Sequence, residues 1–199
     1  EIHSGDWSSD VCSSDLELTE KDHNSYLVRV YEQDPEIYKN MEILIVNLLR
    51  ANNKKALPYH KVFPPINEYT KSNIEKTLKE NNIKTFVGVF RDGHKINLKN
   101  FNLIRTKPPK PEIKEYINYK SHIKEMELNA PNGILNTIQV IDLQNKKNLY
   151  KCDAYTDFSG YRRNVKMRYT LSLVNTLAED LRAKGFVSEI PEVVRTGYL

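Results

Sequence analysis

The hydrophobic pattern is most regular between residues 134 and 187. Two runs, 134–143 and 148–158, have the composition of β-strands and flank a short polar turn. Residues 159–186 then repeat apolar side chains at helical spacing, and Gly185 is expected to cap this helix in the left-handed conformation. The buried face of that helix is predicted to comprise Met167, Leu171, Val174, Leu177, Ala178 and Leu181. This strand, strand, helix order predicts a packing nucleus for the rest of the chain.

The amino-terminal half alternates strand and helix patterns. Strand patterns occupy 24–31, 56–63 and 83–90. The first helix should begin after Asp34, a capping residue, with Pro35 at the first helical position. Its apolar stripe consists of Ile37, Met41, Leu44, Ile45 and Leu48. The second helix should begin with a capping box between Ser72 and Glu75. This alternation favours parallel strands joined by right-handed helical crossovers.

The middle of the chain is predicted to add hairpins. Asp92 and Gly93 form a strong two-residue hairpin signal, and the following run, 94–104, changes parity as if it contained a β-bulge. Three prolines then break the pattern at 108–111. Residues 112–129 fit a helix and a strand about equally, and we favour an irregular strand that enters 134–143.

These elements predict the α/β (α+β) class: a single mixed β-sheet in the order β-α-β-α-β, then hairpins and a carboxyl-terminal helix packed on the sheet. One domain is expected over residues 17–187, which is long enough to bury a core. It is preceded by a leader, 1–16, and followed by a short tail, 188–199, that we expect to be loosely ordered.

The leader has no hydrophobic period, and its residues 6–16, DWSSDVCSSDL, resemble one reading frame of a common short-read sequencing adapter. We therefore interpret it as an artefact and leave it out of the fold prediction. It contains four carboxylates and no Lys or Arg, so the formal charge of +4 becomes +8 over residues 17–199. It also contains Cys12, and without it Cys152 has no partner for an internal disulfide.

The composition fits a folded globular domain, with 39% hydrophobic and 28% charged residues and a mean hydropathy of −0.61. No apolar run approaches the roughly 20 residues that cross a bilayer. No nucleophile motif, glycine-rich phosphate loop or paired metal-ligand spacing occurs. Cys152, within a strand pattern, is interpreted as a structural thiol. We therefore predict no catalytic residue, no metal site, no cofactor and no enzymatic activity.

One charge arrangement suggests a ligand. Five residues lie near the start of the last helix: Tyr161, Arg162, Arg163, Lys166 and Arg168. Cations at a helix amino terminus are unfavourable because that end already carries positive partial charge. The cluster is therefore a candidate site for an anion or a partner, such as a phosphate, a lipid headgroup or an acidic protein. The simpler interpretation is pairing with Asp153, Asp157 or another surface carboxylate, or a helix that begins later.

Two segments resemble a family of small bacterial cell-envelope lipoproteins. VFPPINEYTKSNIEKTLKENNIKTFVGV resembles the segment of those proteins in which a capped helix leads into a core strand. IQVIDLQNKKNLYKCDAYTD followed by SLVNTLAEDLRAKGFV resembles their closing strands and helix. The layout is similar to penicillin-binding-protein activator lipoproteins and to the amino-terminal domain of the Tol-system translocation protein. Family members mostly bind other proteins, so the resemblance implies a binding role and carries over no catalytic residue.

The leading hypothesis is therefore a non-enzymatic, lipoprotein-like domain that binds an envelope protein or an anionic surface, held in the bacterial periplasm or at the outer membrane by a lipid anchor. It predicts a signal peptide and a lipid-attachment Cys upstream of residue 17. The alternative is a cytoplasmic nucleic-acid or phosphate-binding module that uses the basic cluster. Nucleic acid is disfavoured because no basic stripe interleaved with aromatic residues is present.

Overall fold

The structure is a computed structural model that describes residues 11–13, 25–64, 70–91, 94–105, 133–157 and 164–197. Its strands are β1 (Val11–Ser13), β2 (Ser25–Val30), β3 (Lys55–Pro58), β4 (Ile83–Arg91), β5 (His94–Ile96), β6 (Leu103–Arg105), β7 (Gly133–Asp142) and β8 (Lys147–Asp157). Its helices are α1 (Pro35–Ala51), α2 (Tyr59–Val62), α3 (Lys71–Glu80), α4 (Val165–Ala183) and α5 (Glu192–Thr196). No helix in these ranges is both long and apolar enough to cross a bilayer.

A mixed sheet organises the domain, in the strand order β1-β8-β7-β4-β2-β3. β2 lies parallel to both β3 and β4, and β7 pairs antiparallel with β4 and β8. The edge strand β1 comes from the leader and pairs antiparallel with β8 over three residues. The predicted α/β class with a single large mixed sheet is confirmed, as is the hairpin of β7 and β8.

The main core lies between one face of the sheet and helices α1, α4 and α5. Asp34 caps α1 by accepting the Glu36 N–H at 2.9 Å, and Pro35 opens the helix, as predicted. Gly185 ends α4 with a φ of 75°, and the Phe186 N–H donates to the Leu181 carbonyl at 2.9 Å. The left-handed cap predicted at Gly185 is thus confirmed, and this bond belongs to a Schellman motif.

The carboxyl-terminal segment belongs to this core, so the expectation of a loosely ordered tail is wrong for residues 188–197. Ile190 and Val194 are buried, and the Asn52 side chain bonds the backbone of residues 188 and 189. A Cβ at Gly197 would lie 2.8 Å from Met167 Sδ, so the chain passes closely over that side chain. The sequence predicts Met167 and Leu171 on the buried face of the last helix. In the structure both side chains are half-buried, and they lie against this carboxyl-terminal segment.

The opposite face of the sheet is covered by α2, α3 and the β5–β6 hairpin. Leu27, Phe63 and Ile83 form one apolar cluster there, with Leu78 of α3 packed against it. Phe90, Ile96 and Ile141 form a second cluster under the hairpin. Helix α1 lies on one face of the sheet and α3 on the other. Because these connecting helices cover opposite faces, a crevice forms at the carboxyl ends of the parallel strands.

Two predicted boundaries in the amino-terminal half are wrong. The strand predicted at 56–63 ends at Pro58, because the next four residues turn into α2 and stack the Tyr59 ring on Phe63. Helix α3 is capped by Thr70, whose hydroxyl accepts the Asn73 N–H at 3.2 Å, and not by Ser72. Thr70 lies two residues earlier and leaves Ser72 inside the helix.

The predicted hairpin partner of β4 is also wrong. β4 pairs with β2 and β7, whereas β5 pairs with β6 in a separate two-stranded sheet. The change of parity predicted as a bulge is instead a tight loop, in which Asn97 accepts the Phe101 N–H at 2.8 Å and Phe101 has a φ of 56°. Asp92 and Gly93, and the strand predicted at 112–129, lie outside the described residues.

We predict that Gly88→Ala destabilises the domain. Gly88 lies in β4, and a Cβ there would lie 2.4 Å from the Phe90 ring and 2.9 Å from the Phe86 ring. The unfolding free energy should fall by about 1–3 kcal/mol, the usual cost of overpacking a core. Urea denaturation followed by circular dichroism measures the change, with Ala183→Gly at the exposed end of α4 as a control of similar size. An unchanged midpoint for Gly88→Ala would contradict this packing.

Candidate functional site at the strand ends

A crevice of about 720 Å³ opens at the carboxyl ends of the parallel strands β2, β3 and β4. β2 connects through α1 to β3 on one side, and β3 connects through α3 to β4 on the other side of β2. Ligands of open α/β sheets bind where neighbouring connections diverge in this way, outside the carboxyl ends of the strands. The volume lies within the range of small-molecule sites. The crevice is therefore the candidate functional site of the described chain.

A buried carboxylate closes the floor of the crevice. Glu42, on α1, is 1% exposed. Its Oε1 accepts the Val30 N–H at 3.1 Å, and its Oε2 accepts the His60 N–H at 3.0 Å. The Nδ1 of the His60 ring also contacts Oε2 in a short hydrogen bond. Because two backbone N–H groups donate to this buried carboxyl group, Glu42 fixes the end of β2 and the start of α2 to helix α1.

A stacked arginine forms one wall. The Arg29 guanidinium lies 4.3 Å from the centre of the Tyr31 ring and 4.0 Å from that of the Tyr59 ring. Tyr31 in turn stacks on Phe90, with ring centres 4.7 Å apart. Burial raises the pKa of the Tyr31 phenol, although the Arg29 charge opposes that rise. Tyr31 is therefore a neutral hydroxyl at physiological pH.

A second arginine lies across the crevice and has a carboxylate partner. Arg91 Nη1 is 3.2 Å from both carboxylate oxygens of Glu32. The His94 ring, whose Nδ1 lies 2.7 Å from the Arg91 carbonyl, continues this wall. The charge of Arg91 is thus balanced within the protein, whereas Arg29 has aromatic rings as its near neighbours.

The lining of the crevice combines apolar surface with a few polar groups. Apolar atoms contribute most of its surface, among them those of Tyr38, Phe63 and Leu103. Among the described residues the lining contains no Ser, Thr or Cys that His60 could activate. Within the same part of the chain, no three His, Cys, Asp or Glu side chains converge as metal ligands. The crevice therefore has the volume and the apolar lining that can hold a ligand.

The basic cluster predicted from the sequence lies elsewhere and is only partly described. Helix α4 begins at Val165, so Lys166 and Arg168 lie in its first turn, while residues 161–163 lie outside the described residues. Lys166 Nζ pairs with Asp34 at 2.8 Å and with Glu36 at 3.1 Å. These carboxylates raise the pKa of Lys166, and the hydrogen bond from Lys166 lowers that of Asp34.

None of the crevice residues was singled out for function from the sequence. They come from separate segments: the end of β2, the first two turns of α1, α2 with the residue after it, the end of β4 and the β5–β6 hairpin. Arg29 looked like an ordinary polar position in an alternating strand, and His60 like an isolated histidine. The available signal was positional, because each segment directly follows, or packs against, the carboxyl end of a parallel strand.

Comparison with known proteins finds only distant likenesses of fold. No protein-family model and no curated protein sequence matches the chain. Two solved structures of the PelC dodecamer from Paraburkholderia phytofirmans are similar in fold, each with 12% sequence identity to this chain. One has a TM-score of 0.45 and covers 92% of this chain and 99% of its own. The other, a single-substitution variant, has a TM-score of 0.43 and covers 88% and 97%. Likeness of this degree establishes no function, partner or assembly for the present chain.

We predict that Glu42→Gln destabilises the domain through the crevice floor. The amide can accept the Val30 N–H, but its NH₂ group then faces the His60 N–H and leaves buried donors unpaired. The unfolding free energy should fall by about 1–3 kcal/mol. Glu36→Gln, on the exposed first turn of the same helix, is the matched control in urea denaturation. Equal midpoints for the two variants would contradict the anchoring role.

A second prediction concerns the ion pairs of Lys166. Lys166→Met should raise the pKa of Asp34 toward its ordinary value, because the lowering depends first on the hydrogen bond from Lys166. A lowered carboxylate pKa stabilises the fold above the unfolded-state value, and this contribution is lost as the pH falls through the folded-state value. The variant should therefore lose less stability on acidification than the wild type. Titration of the Asp34 carboxyl carbon by NMR measures the shift, with the exposed Lys39→Met as control.

Proposed function

We propose that the chain is a non-enzymatic binding domain that receives its partner in the strand-end crevice. The observation that carries the proposal is the combination of an open volume with a wall that is already rigid. Glu42 holds the backbone of two segments, and the aromatic stacks hold the side chains above them. A site that is ordered before binding loses less conformational entropy when the partner arrives.

The partner we favour is a protein of the bacterial envelope, and the chain would then reside in the periplasm or at the outer membrane through a lipid anchor. The support for this setting is the resemblance of residues 56–89 and 134–187 to envelope lipoproteins. The crevice adds a place on the domain where such a partner can bind. A signal peptide that ends just before a Cys in the genomic sequence supports the setting, and a methionine directly before residue 17 contradicts it.

The alternative is a nucleic-acid or phosphate-binding module that uses the basic cluster. Its support is the net positive charge and the cations around the start of α4. Lys166 contributes less to it than the sequence indicated, since two carboxylates compete for the same ammonium group. The crevice therefore supports the protein-binding proposal better than the cluster supports this alternative.

We predict that the partner contacts the rim of the crevice at Gln33 and that a bulky residue in place of Leu103 blocks its binding. A photo-cross-linking residue at exposed Gln33, a rim position, should yield a discrete protein adduct in cells of the source organism, which mass spectrometry identifies. The same residue at exposed Glu179 on α4 should not yield that adduct.

With the purified partner, Leu103→Trp should weaken binding at least tenfold, because residue 103 is 47% exposed and lines the crevice.

The matched control is Ile74→Trp, which enlarges another exposed apolar residue, 37% exposed, outside the crevice. It should leave the affinity unchanged. Equal affinities for wild type and both tryptophan variants would contradict the crevice as the binding site. The same adduct from residues 33 and 179 would contradict it as well.

A further inference from the structure

The orientation of Arg29 indicates what the crevice binds. The Cζ atom of its guanidinium lies 4.3 Å from the centre of the Tyr31 ring and 4.0 Å from the centre of the Tyr59 ring. Contact with two aromatic rings restrains the position of the guanidinium, and its N–H donors lie in its own plane. An edge with fixed, parallel donors matches the two oxygens of a carboxylate or phosphate.

The charges around Arg29 give a second, independent reason. Arg91 pairs with Glu32, and Glu42 accepts from His60 and two backbone groups. Within the described part of the chain, no carboxylate lies within ion-pairing distance of Arg29. A half-buried cation whose near neighbours are aromatic faces favours an anion from outside. The neutral hydroxyl of Tyr31 is an additional donor beside it.

We infer that the crevice binds an oxyanion, a carboxylate or a phosphate, through the edge of Arg29, with an apolar group of the ligand lying against the surrounding side chains. Those side chains are Tyr38, Phe63 and Leu103. The inference rests on the proposed function and specifies the chemical group that the partner presents. The crevice volume of about 720 Å³ accommodates a ring or short chain attached to the anion.

Benzoate, phenyl phosphate and benzamide test the inference, because each places a ring beside a different head group. In NMR titrations of the isotope-labelled chain, benzoate or phenyl phosphate should shift the Arg29 Nε–H signal and the backbone signals of residues 29–33. Benzamide, which has the shape of benzoate without its charge, should bind at least tenfold more weakly. The stronger of the two anions identifies carboxylate or phosphate as the natural group.

Two substitutions separate recognition from folding. Arg29→Lys keeps the charge and loses the planar edge, so it should weaken binding of the preferred anion at least fivefold while the other amide signals keep their positions. Arg29→Gln should weaken it further. Arg182→Gln, which removes an exposed arginine on α4, is the matched control and should bind as the wild type does.

Three results would overturn the inference: equal binding of benzoate and benzamide, unchanged binding by both Arg29 variants, or shifts that map away from residues 29–33. These results leave the proposed function intact if the Gln33 adduct forms and Leu103→Trp still blocks the partner. Failure of the cross-linking experiment, with anion binding at Arg29 intact, would remove the protein partner and keep the oxyanion site.

Discussion

The crevice depends on the buried carboxylate of Glu42. It accepts the N–H of the last residue of β2 and the N–H of the second residue of α2, and it also contacts the His60 ring. Removing a carboxylate from water is costly unless several donors replace its hydration, and here two backbone N–H groups do so. Because one side chain of α1 thereby fixes two separate strand ends, the position of the crevice is determined by hydrogen bonds as well as by apolar packing.

The positions of the aromatic side chains above the crevice floor also depend on Glu42. Tyr59 follows β3 directly, so the backbone bond from His60 to Glu42 also determines where the Tyr59 ring lies. That ring packs on Phe63 on one side and on the Arg29 guanidinium on the other. The orientation of Arg29 is thus set by a chain of contacts that begins at Glu42. A binding wall built in this way is ordered without a ligand, which is the physical basis of its proposed role.

The sequence predicted the parts of this fold that depend on local chemistry. The cap at Asp34, the stripe along α1, the β7–β8 hairpin and the left-handed Gly185 all follow from neighbouring residues, and the structure confirms them. Predictions failed where distant segments decide the outcome. The pairing of β5 with β6 depends on the neighbours that already flank β4, and the burial of Val194 depends on a groove beside α4. The crevice was missed for the same reason, since its residues are assembled only by the strand order.

The two cationic sites show why the surroundings of a charge matter more than its position in the sequence. The position of Lys166 at a helix amino terminus makes it a candidate for binding an anion. In the structure, however, its charge is balanced by Asp34 and Glu36, which lie at the start of α1. Arg29 has no such signal in the sequence, yet its near neighbours are the rings of Tyr31 and Tyr59, and no carboxylate in the described part of the chain pairs with it. A carboxylate partner within the protein would occupy its N–H donors, as Glu32 does for Arg91. The arginine that lines an open volume beside aromatic rings, without a carboxylate partner in the described part of the chain, is therefore the better candidate for recognising an external anion.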